Sequence, residues 1–402
     1  MKKQAPVHTE GQENKQNPRT KKSLFDILYA PILAIVIGTA MFLIAMMILP
    51  HLGSEKHGNT QISEKPQNSS AAAAEPGAAE MTETAAAAVS ETTTAVTEQY
   101  PSAATLPEET EPPAEFDESL LIARNALLLK AGADGNTLIY ERKANAKIYP
   151  ASMTKMMTLV TFLGLVPEGK LSEHIEMSAD VLAAQRAKLA YVTGFKAGEQ
   201  CSIKDLIYAM MLPSGADAAV MLATYAAGSE EAFVAEMNKL AQTMGLEQTH
   251  FVNCTGLHDS NHYSTVQDIS RILLYAIRNP ICAEAMSTLK YTTEPTEQHP
   301  NGIELVSTTL SRMVGNELES MATPLHVIGG KTGFTNPAGQ CLATWAKSSA
   351  GDVYVCVVAG STTLKPLDAV GDNLTLYQLV SEPAGSVKRI QPAEKDLPYY
   401  VH

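Results

Sequence analysis

The chain has 402 residues, and its 43 acidic against 30 basic side chains give a formal net charge of −13. No strongly basic patch interrupts that balance, which excludes nucleic acid as an expected partner. The length allows two or three domains, but composition divides the chain unevenly.

Residues 1–26 are polar and carry Lys2, Lys3, Lys15, Arg19, Lys21 and Lys22. Ile27 to Leu49 is a run of 23 residues without a charge, enough to cross a bilayer at about 1.5 Å per residue. A secretory signal has a shorter apolar core, roughly 7–15 residues, followed by a small-x-small cleavage site. Here Pro50-His51-Leu52-Gly53-Ser54-Glu55-Lys56 follows, so an uncleaved anchor is expected. The preceding basic residues predict a cytoplasmic N-terminus with everything beyond the anchor outside the cell membrane. Residues 50–115 are rich in Ala, Thr, Glu, Pro and Ser. Eleven glutamates against two lysines there leave a net of −9, so most of the acidity belongs to a stalk. With few aromatic residues it cannot bury enough apolar surface to fold, and a flexible tether is predicted.

From 116 to about 382 the composition is that of a globular domain of roughly 265 residues, enough for one substantial core. Asn125–Lys130 and Thr137–Glu141 are apolar runs around Gly132-Ala133-Asp134-Gly135, a hairpin signal. A helix is predicted from near Ser152, with Met153, Met156, Met157, Val160 and Leu163 at helical spacing. Further helices are predicted over Lys204–Leu212, ended by Pro213, and over Asp217–Ala227. Glu230–Met244, stopped by Gly245, and Thr265–Asn279, ended by Pro280, follow. Gln340–Lys347 and Asp352–Ala359 form a second hairpin, with Lys331-Thr332-Gly333 just upstream, and Leu367–Val380 is a closing helix. Strands at both ends and helices between predict an α/β (α+β) domain, an antiparallel sheet covered by a helical lobe. Residues 383–402 are left as a C-terminal tail.

Five scattered cysteines with no Cys-x-x-Cys read as small buried hydrophobes. His250, His258 and His262 lie close together without a carboxylate at zinc-protease spacing, so neither metal nor cofactor is expected.

The chemistry is concentrated in Ser152-Met153-Thr154-Lys155. On a helix, positions i and i+3 share a face, so an amine meets a hydroxyl. A serine is a weak nucleophile until a base takes its proton, and a buried lysine can be that base. Ser214-Gly215-Ala216-Asp217 and Lys331-Thr332-Gly333 follow in the order known for penicillin-binding proteins and class A β-lactamases.

With Tyr149-Pro150-Ala151-Ser152-Met153-Thr154-Lys155, Met211–Ala219, Asn253–Asp259, His262–Thr265 and Gly330–Gly339, the domain resembles the serine D-Ala-D-Ala carboxypeptidases, the low-molecular-weight penicillin-binding proteins. The resemblance implies a β-lactamase/transpeptidase-like fold, a five-stranded antiparallel sheet flanked by helices with a mostly helical lobe. It implies removal of the terminal D-alanine from peptidoglycan stem peptides, with β-lactam antibiotics as inhibitors. Ser152 is then the nucleophile, Lys155 its base and Ser214 a proton relay. Lys331, Thr332 and Gly333 bind substrate. Phe334 and Ser152 offer backbone N–H groups as an oxyanion hole, and Arg312 is a further candidate for the substrate carboxylate, at a longer spacing to Lys331 than in the family. The C-terminal β-domain of many relatives is expected to be absent.

One departure stands out: Ala216 occupies the Asn of the family's Ser-x-Asn motif. A weakly active or inactive protein that binds wall peptides therefore stays open beside the carboxypeptidase. A β-lactamase is disfavoured, since no Glu-x-x-Leu-Asn string lies between Asp217 and Lys331.

Overall fold

The computed structural model describes residues 116–133, 135–313, 324–362, 367–382 and 384–392. The basic tail, the anchor run Ile27–Leu49 and the acidic linker lie outside the described residues. Among the described residues no helix is long and apolar enough to cross a membrane.

Strands β1 (Asn125–Ala131) and β2 (Thr137–Arg142) pair antiparallel, with Leu128 opposite Tyr140. A 3₁₀ turn, Ala151–Met153, leads into α1 (Thr154–Leu165). There follow β3 (His174–Glu176), α2 (Ala179–Ala187), β4 (Gln200–Ser202), α3 (Ile203–Met211), α4 (Ala216–Ala227), α5 (Glu230–Thr243) and α6 (Val266–Ala276). Next come α7 (Pro280–Ser287), β5 (Lys290–Thr292), β6 (Glu304–Val306) and the single turn α8 (Leu310–Met313). The chain closes with β7 (Leu325–Thr335), β8 (Gly339–Ser348), β9 (Val353–Ser361) and α9 (Asp368–Tyr377). The main sheet has five antiparallel strands in the order β2-β1-β9-β8-β7, so both termini of the domain contribute, as the sequence predicts.

Both faces of this sheet are covered, which explains why β9 reads as a continuous apolar run. Side chains alternate across a strand. Val355, Val357 and Ala359 join Leu127, Leu129, Ala343 and Trp345 in the core shared with the helical lobe. Cys356 and Val358 pack with Leu128, Leu342 and Tyr140 against Leu374 and Tyr377 of α9. Each fully buried leucine of this kind contributes about 1.5–3 kcal/mol. The five cysteines are all buried and unpaired.

Four helix starts carry a side-chain cap from Ser or Thr, whereas α1, α4 and α9 begin without one. Ser178, Ser202, Ser229 and Thr265 each accept a hydrogen bond from the N–H three residues on, at 2.9–3.3 Å. One expected helix is corrected: Thr265–Asn279 is not a single element running to a stop at Pro280. The helix ends at Ala276, and Pro280 opens the next one, with Asn279 Oδ1 accepting from Ile281 N–H at 2.9 Å. Proline at a first helical position lacks only an N–H that has no partner there anyway.

Candidate active site

The 3₁₀ turn places Ser152 at the base of α1. Its preceding residue, Ala151, has φ +47°, a strained conformation for a side-chain-bearing residue. Lys155, one turn later, is buried, and its Nζ lies 3.0 Å from Ser152 Oγ and 2.7 Å from the carbonyl oxygen of Thr255. Burial pulls the Lys155 ammonium down to a pKa of about 8, against smaller opposing effects of Cys254 and Asp217.

Lys331 is fully buried on β7 and donates to the Thr332 carbonyl at 3.2 Å. Burial holds its pKa well below the ordinary lysine value, with Lys155 and Arg312 adding like-charge repulsion. Thr332 Oγ1 shares a 2.7 Å hydrogen bond with Thr308 Oγ1. Arg312, on α8, is also depressed by burial. A cavity of about 60 Å³ is lined by Ser152, Ser214, Thr308, Arg312, Thr332 and Phe334, among others. Six of the eight residues named from the sequence thus line or adjoin one cavity at Ser152: Gly333 also lines it, while Lys155 and Lys331 stand buried behind it. Phe334 contributes an exposed ring, 42% accessible, at its mouth.

Ser214 precedes α4 in a left-handed conformation, φ +73°, and its buried Oγ has no hydrogen-bond partner among the described residues. An unpartnered buried hydroxyl is costly, about 1–3 kcal/mol, and suits a group waiting for a ligand. Ala216 is buried, and its N–H donates to the Tyr191 carbonyl at 2.9 Å.

Two glycines set the geometry. A Cβ on Gly333 would lie 2.9 Å from the Pro150 carbonyl oxygen and 3.1 Å from Ser152 N, so β7 passes directly against the nucleophile's backbone. A Cβ on Gly256, φ +83°, would lie 2.0 Å from the Ala151 carbonyl oxygen. The loop holding Gly256 is braced by Asn253, whose Oδ1 accepts from Thr255 N, Thr255 Oγ1 and Gly256 N at 2.7–3.2 Å.

The Thr255 carbonyl, Thr308 and Gly256 were not given roles by the sequence, although Asn253–Asp259 stood out as a motif. Main-chain acceptors carry no side-chain signature, and the Thr308–Thr332 contact spans 24 residues. His262, near two other histidines, is a structural group: its Nδ1 accepts from Val252 N–H at 3.1 Å, so Nε2 carries the proton toward Thr154 Oγ1 at 2.8 Å. Burial pushes its pKa down to about 4. Among the described residues no cluster of three or more His, Cys, Asp or Glu side chains is placed to hold a metal.

Residues 115–363 match the family described as D-alanyl-D-alanine carboxypeptidase. The chain is 32% identical over 253 residues to the D-alanyl-D-alanine carboxypeptidase DacF of Bacillus subtilis, covering 61% of this chain and 59% of that protein. Among solved structures, it is similar to penicillin binding protein 5 from Haemophilus influenzae, with a TM-score of 0.55, 26% identity, and 67% and 72% of the two chains covered. The fold is shared with the Streptomyces K15 DD-transpeptidase, at a TM-score of 0.56 and 24% identity, covering 67% of this chain and all of that one. A match to well over half of the chain, on this fold and with these motifs in order, means that the chain belongs to the D-alanyl-D-alanine carboxypeptidase family.

Proposed function

We propose that the protein is a serine-type D-alanyl-D-alanine carboxypeptidase that removes the terminal D-alanine of peptidoglycan stem peptides through an acyl-enzyme on Ser152, and that β-lactams acylate the same serine. The observation that carries this reading is the 3.0 Å approach of a buried, pKa-lowered Lys155 amine to Ser152 Oγ. A neutral Lys155 takes the hydroxyl proton as Oγ attacks the carbonyl carbon between the two D-alanines. The oxyanion faces the backbone N–H groups of Ser152 and Phe334. The C–N bond then breaks, and Ser214 passes a proton to the departing amine. Lys331, Thr332 and Arg312 hold the substrate's terminal carboxylate in a cation-rich wall. Water hydrolyses the ester and returns Ser152.

Ala216 tests the balance of this chemistry. In the family an amide at this position contacts lysine and substrate. Ala216→Asn is expected to change D-alanine release from a diacyl-Lys-D-Ala-D-Ala peptide by roughly 5- to 150-fold, the worth of a hydrogen bond of about 1–3 kcal/mol. Its direction depends on whether the buried pocket admits the larger side chain, since overpacking costs about as much. Chromatography of released D-alanine decides both points. Wild type that releases none while binding the peptide supports the non-catalytic reading, and a variant within twofold of wild type removes position 216 from the working site.

A further inference from the structure

The Thr308 hydroxyl stands between two motif-bearing segments of the site, and the main chain around it is fixed. Ser307 N–H donates to the Leu289 carbonyl at 2.8 Å, and Ser307 Oγ accepts from Leu310 N–H at 3.1 Å. Thr308 N–H donates to the carbonyl of Leu212, just ahead of Pro213 and Ser214, at 2.9 Å. Thr308 Oγ1 lies 3.2 Å from that same carbonyl oxygen and 2.7 Å from Thr332 Oγ1 on β7. Both threonines line the cavity at Ser152. Lys331 Nζ reaches the Thr332 carbonyl and not its hydroxyl. Among the described residues, Thr308 Oγ1 is the hydrogen-bond partner of the Thr332 hydroxyl.

A threonine hydroxyl carries one proton and two lone pairs. A carbonyl oxygen only accepts, so the 3.2 Å contact to Leu212 uses the Thr308 proton. The shorter Thr308–Thr332 bond then uses the proton of Thr332, whose oxygen turns only lone pairs to the cavity. A carboxylate also only accepts, so in that state Thr332 offers it no donor. One rotation of each hydroxyl reverses the direction. Thr308 gives its proton to Thr332, and Thr332 points its own at the anion. The Leu212 carbonyl keeps its bond from Thr308 N–H, so the rotation leaves no main-chain acceptor unpaired. The contact given up is the longer of the two, hence the weaker. A chain of hydroxyls ending on a charge is polarised along its length, which strengthens each bond in it.

We propose that Thr308 is a positioning residue for substrate selection: its hydroxyl stands behind Thr332, turns the Thr332 proton into the cavity, and so makes the site prefer a peptide with a free terminal carboxylate. This rests on the reading of Thr332 as a ligand of that carboxylate. A hydroxyl that only ties Leu212 to β7 would, when removed, weaken every ligand alike. A hydroxyl that directs a proton weakens only those that bring an anion, because Thr332 then spends its proton with no donor behind its oxygen. Thr308→Val deletes the hydroxyl at nearly constant shape and leaves the main-chain bond to Leu212 in place. Thr308→Ser keeps the hydroxyl.

The test is calorimetric binding of two ligands, a diacyl-Lys-D-Ala-D-Ala peptide and its C-terminal carboxamide, to the full chain carrying Ser152→Ala, in which no acyl-enzyme forms on Ser152. With Thr308 in place the free acid is expected to bind more tightly than the amide. Adding Thr308→Val is expected to cut that acid-to-amide ratio by roughly 3- to 10-fold, the net worth of one hydrogen bond, while Thr308→Ser holds it within about twofold. Where Thr308→Val does not fold, Thr308→Ala gives the same comparison. A ratio unchanged by loss of the hydroxyl, a loss that falls equally on acid and amide, or no preference for the acid at the outset overturns the proposal. Penicillin treatment of the protein with Ser152 intact separates the two ideas. If Ser152 is not acylated, the catalytic reading fails, while the acid-to-amide ratio still decides the role of Thr308.

Discussion

Replacing Lys155 with alanine is expected to slow acylation of Ser152 by roughly 10²- to 10⁴-fold, the range lost with a positioned general base. The pH profile carries the sharper signature. In the wild type the amine's pKa is lowered to about 8, so below that value the ammonium dominates and cannot accept the serine proton. Acylation by a β-lactam should therefore rise about tenfold per pH unit on the acid side and level off above about pH 8. Lys155→Arg should behave like the alanine variant, because a guanidinium does not deprotonate in this range. Stopped-flow acylation between pH 6 and 10 gives both results. An acid limb near pH 8 that survives Lys155→Ala assigns the titration to another group.

Gly256→Ala is the second large effect, and it acts through the backbone. The new methyl would sit 2.0 Å from the Ala151 carbonyl oxygen, at a residue with φ +83°. Neither atom is the far end of a flexible side chain, so the loop and the Ser152 turn must part. Left-handed strain alone costs about 1–2 kcal/mol for a side-chain-bearing residue, and the collision adds to it. A loss of more than about 2 kcal/mol corresponds to a melting temperature lower by roughly 4–8 °C in a domain of this size. Misplacing the nucleophile by about 1 Å also costs on the order of 100-fold in rate. Calorimetry and acylation kinetics on the same sample check both. A variant that melts and reacts like wild type would show that the loop does not brace the nucleophile.

The larger helices and the sheet were legible because their signals are long. β8 and β9 carry runs that bury both faces, and α6 carries Ile269, Ile272, Leu273 and Ala276 at helical spacing, all buried. Elements that escaped had weak or short patterns. α2 buries only Leu182 and Gln185, so its apolar stripe is nearly absent. The pairs β3–β4 and β5–β6 have three-residue strands, too short for alternation to show. At the site, the nucleophile–amine pair was readable from a spacing of three on a helix. The Thr255 carbonyl, the Thr308 hydroxyl and the Asp217–Thr193 hydrogen bond were not, because each depends on contacts 24 to 100 residues apart in sequence. Residues 384–392, read as a tail, instead return to the domain: Arg389 Nη1 bonds Asp372 Oδ1 at 2.6 Å and the Leu120 carbonyl at 2.7 Å, tying the chain's exit to α9 and to its entry. A single arginine after a proline and glycine pair gives no periodic signal for such packing.

The central claim is that Ser152 forms a covalent acyl-enzyme with D-Ala-D-Ala-like substrates, and mass spectrometry of the penicillin-treated protein tests it most directly. One adduct on the peptide containing Ser152, absent from Ser152→Ala, is the result expected. An adduct that persists in Ser152→Ala, or a wild type left unmodified under conditions where it is folded, contradicts it.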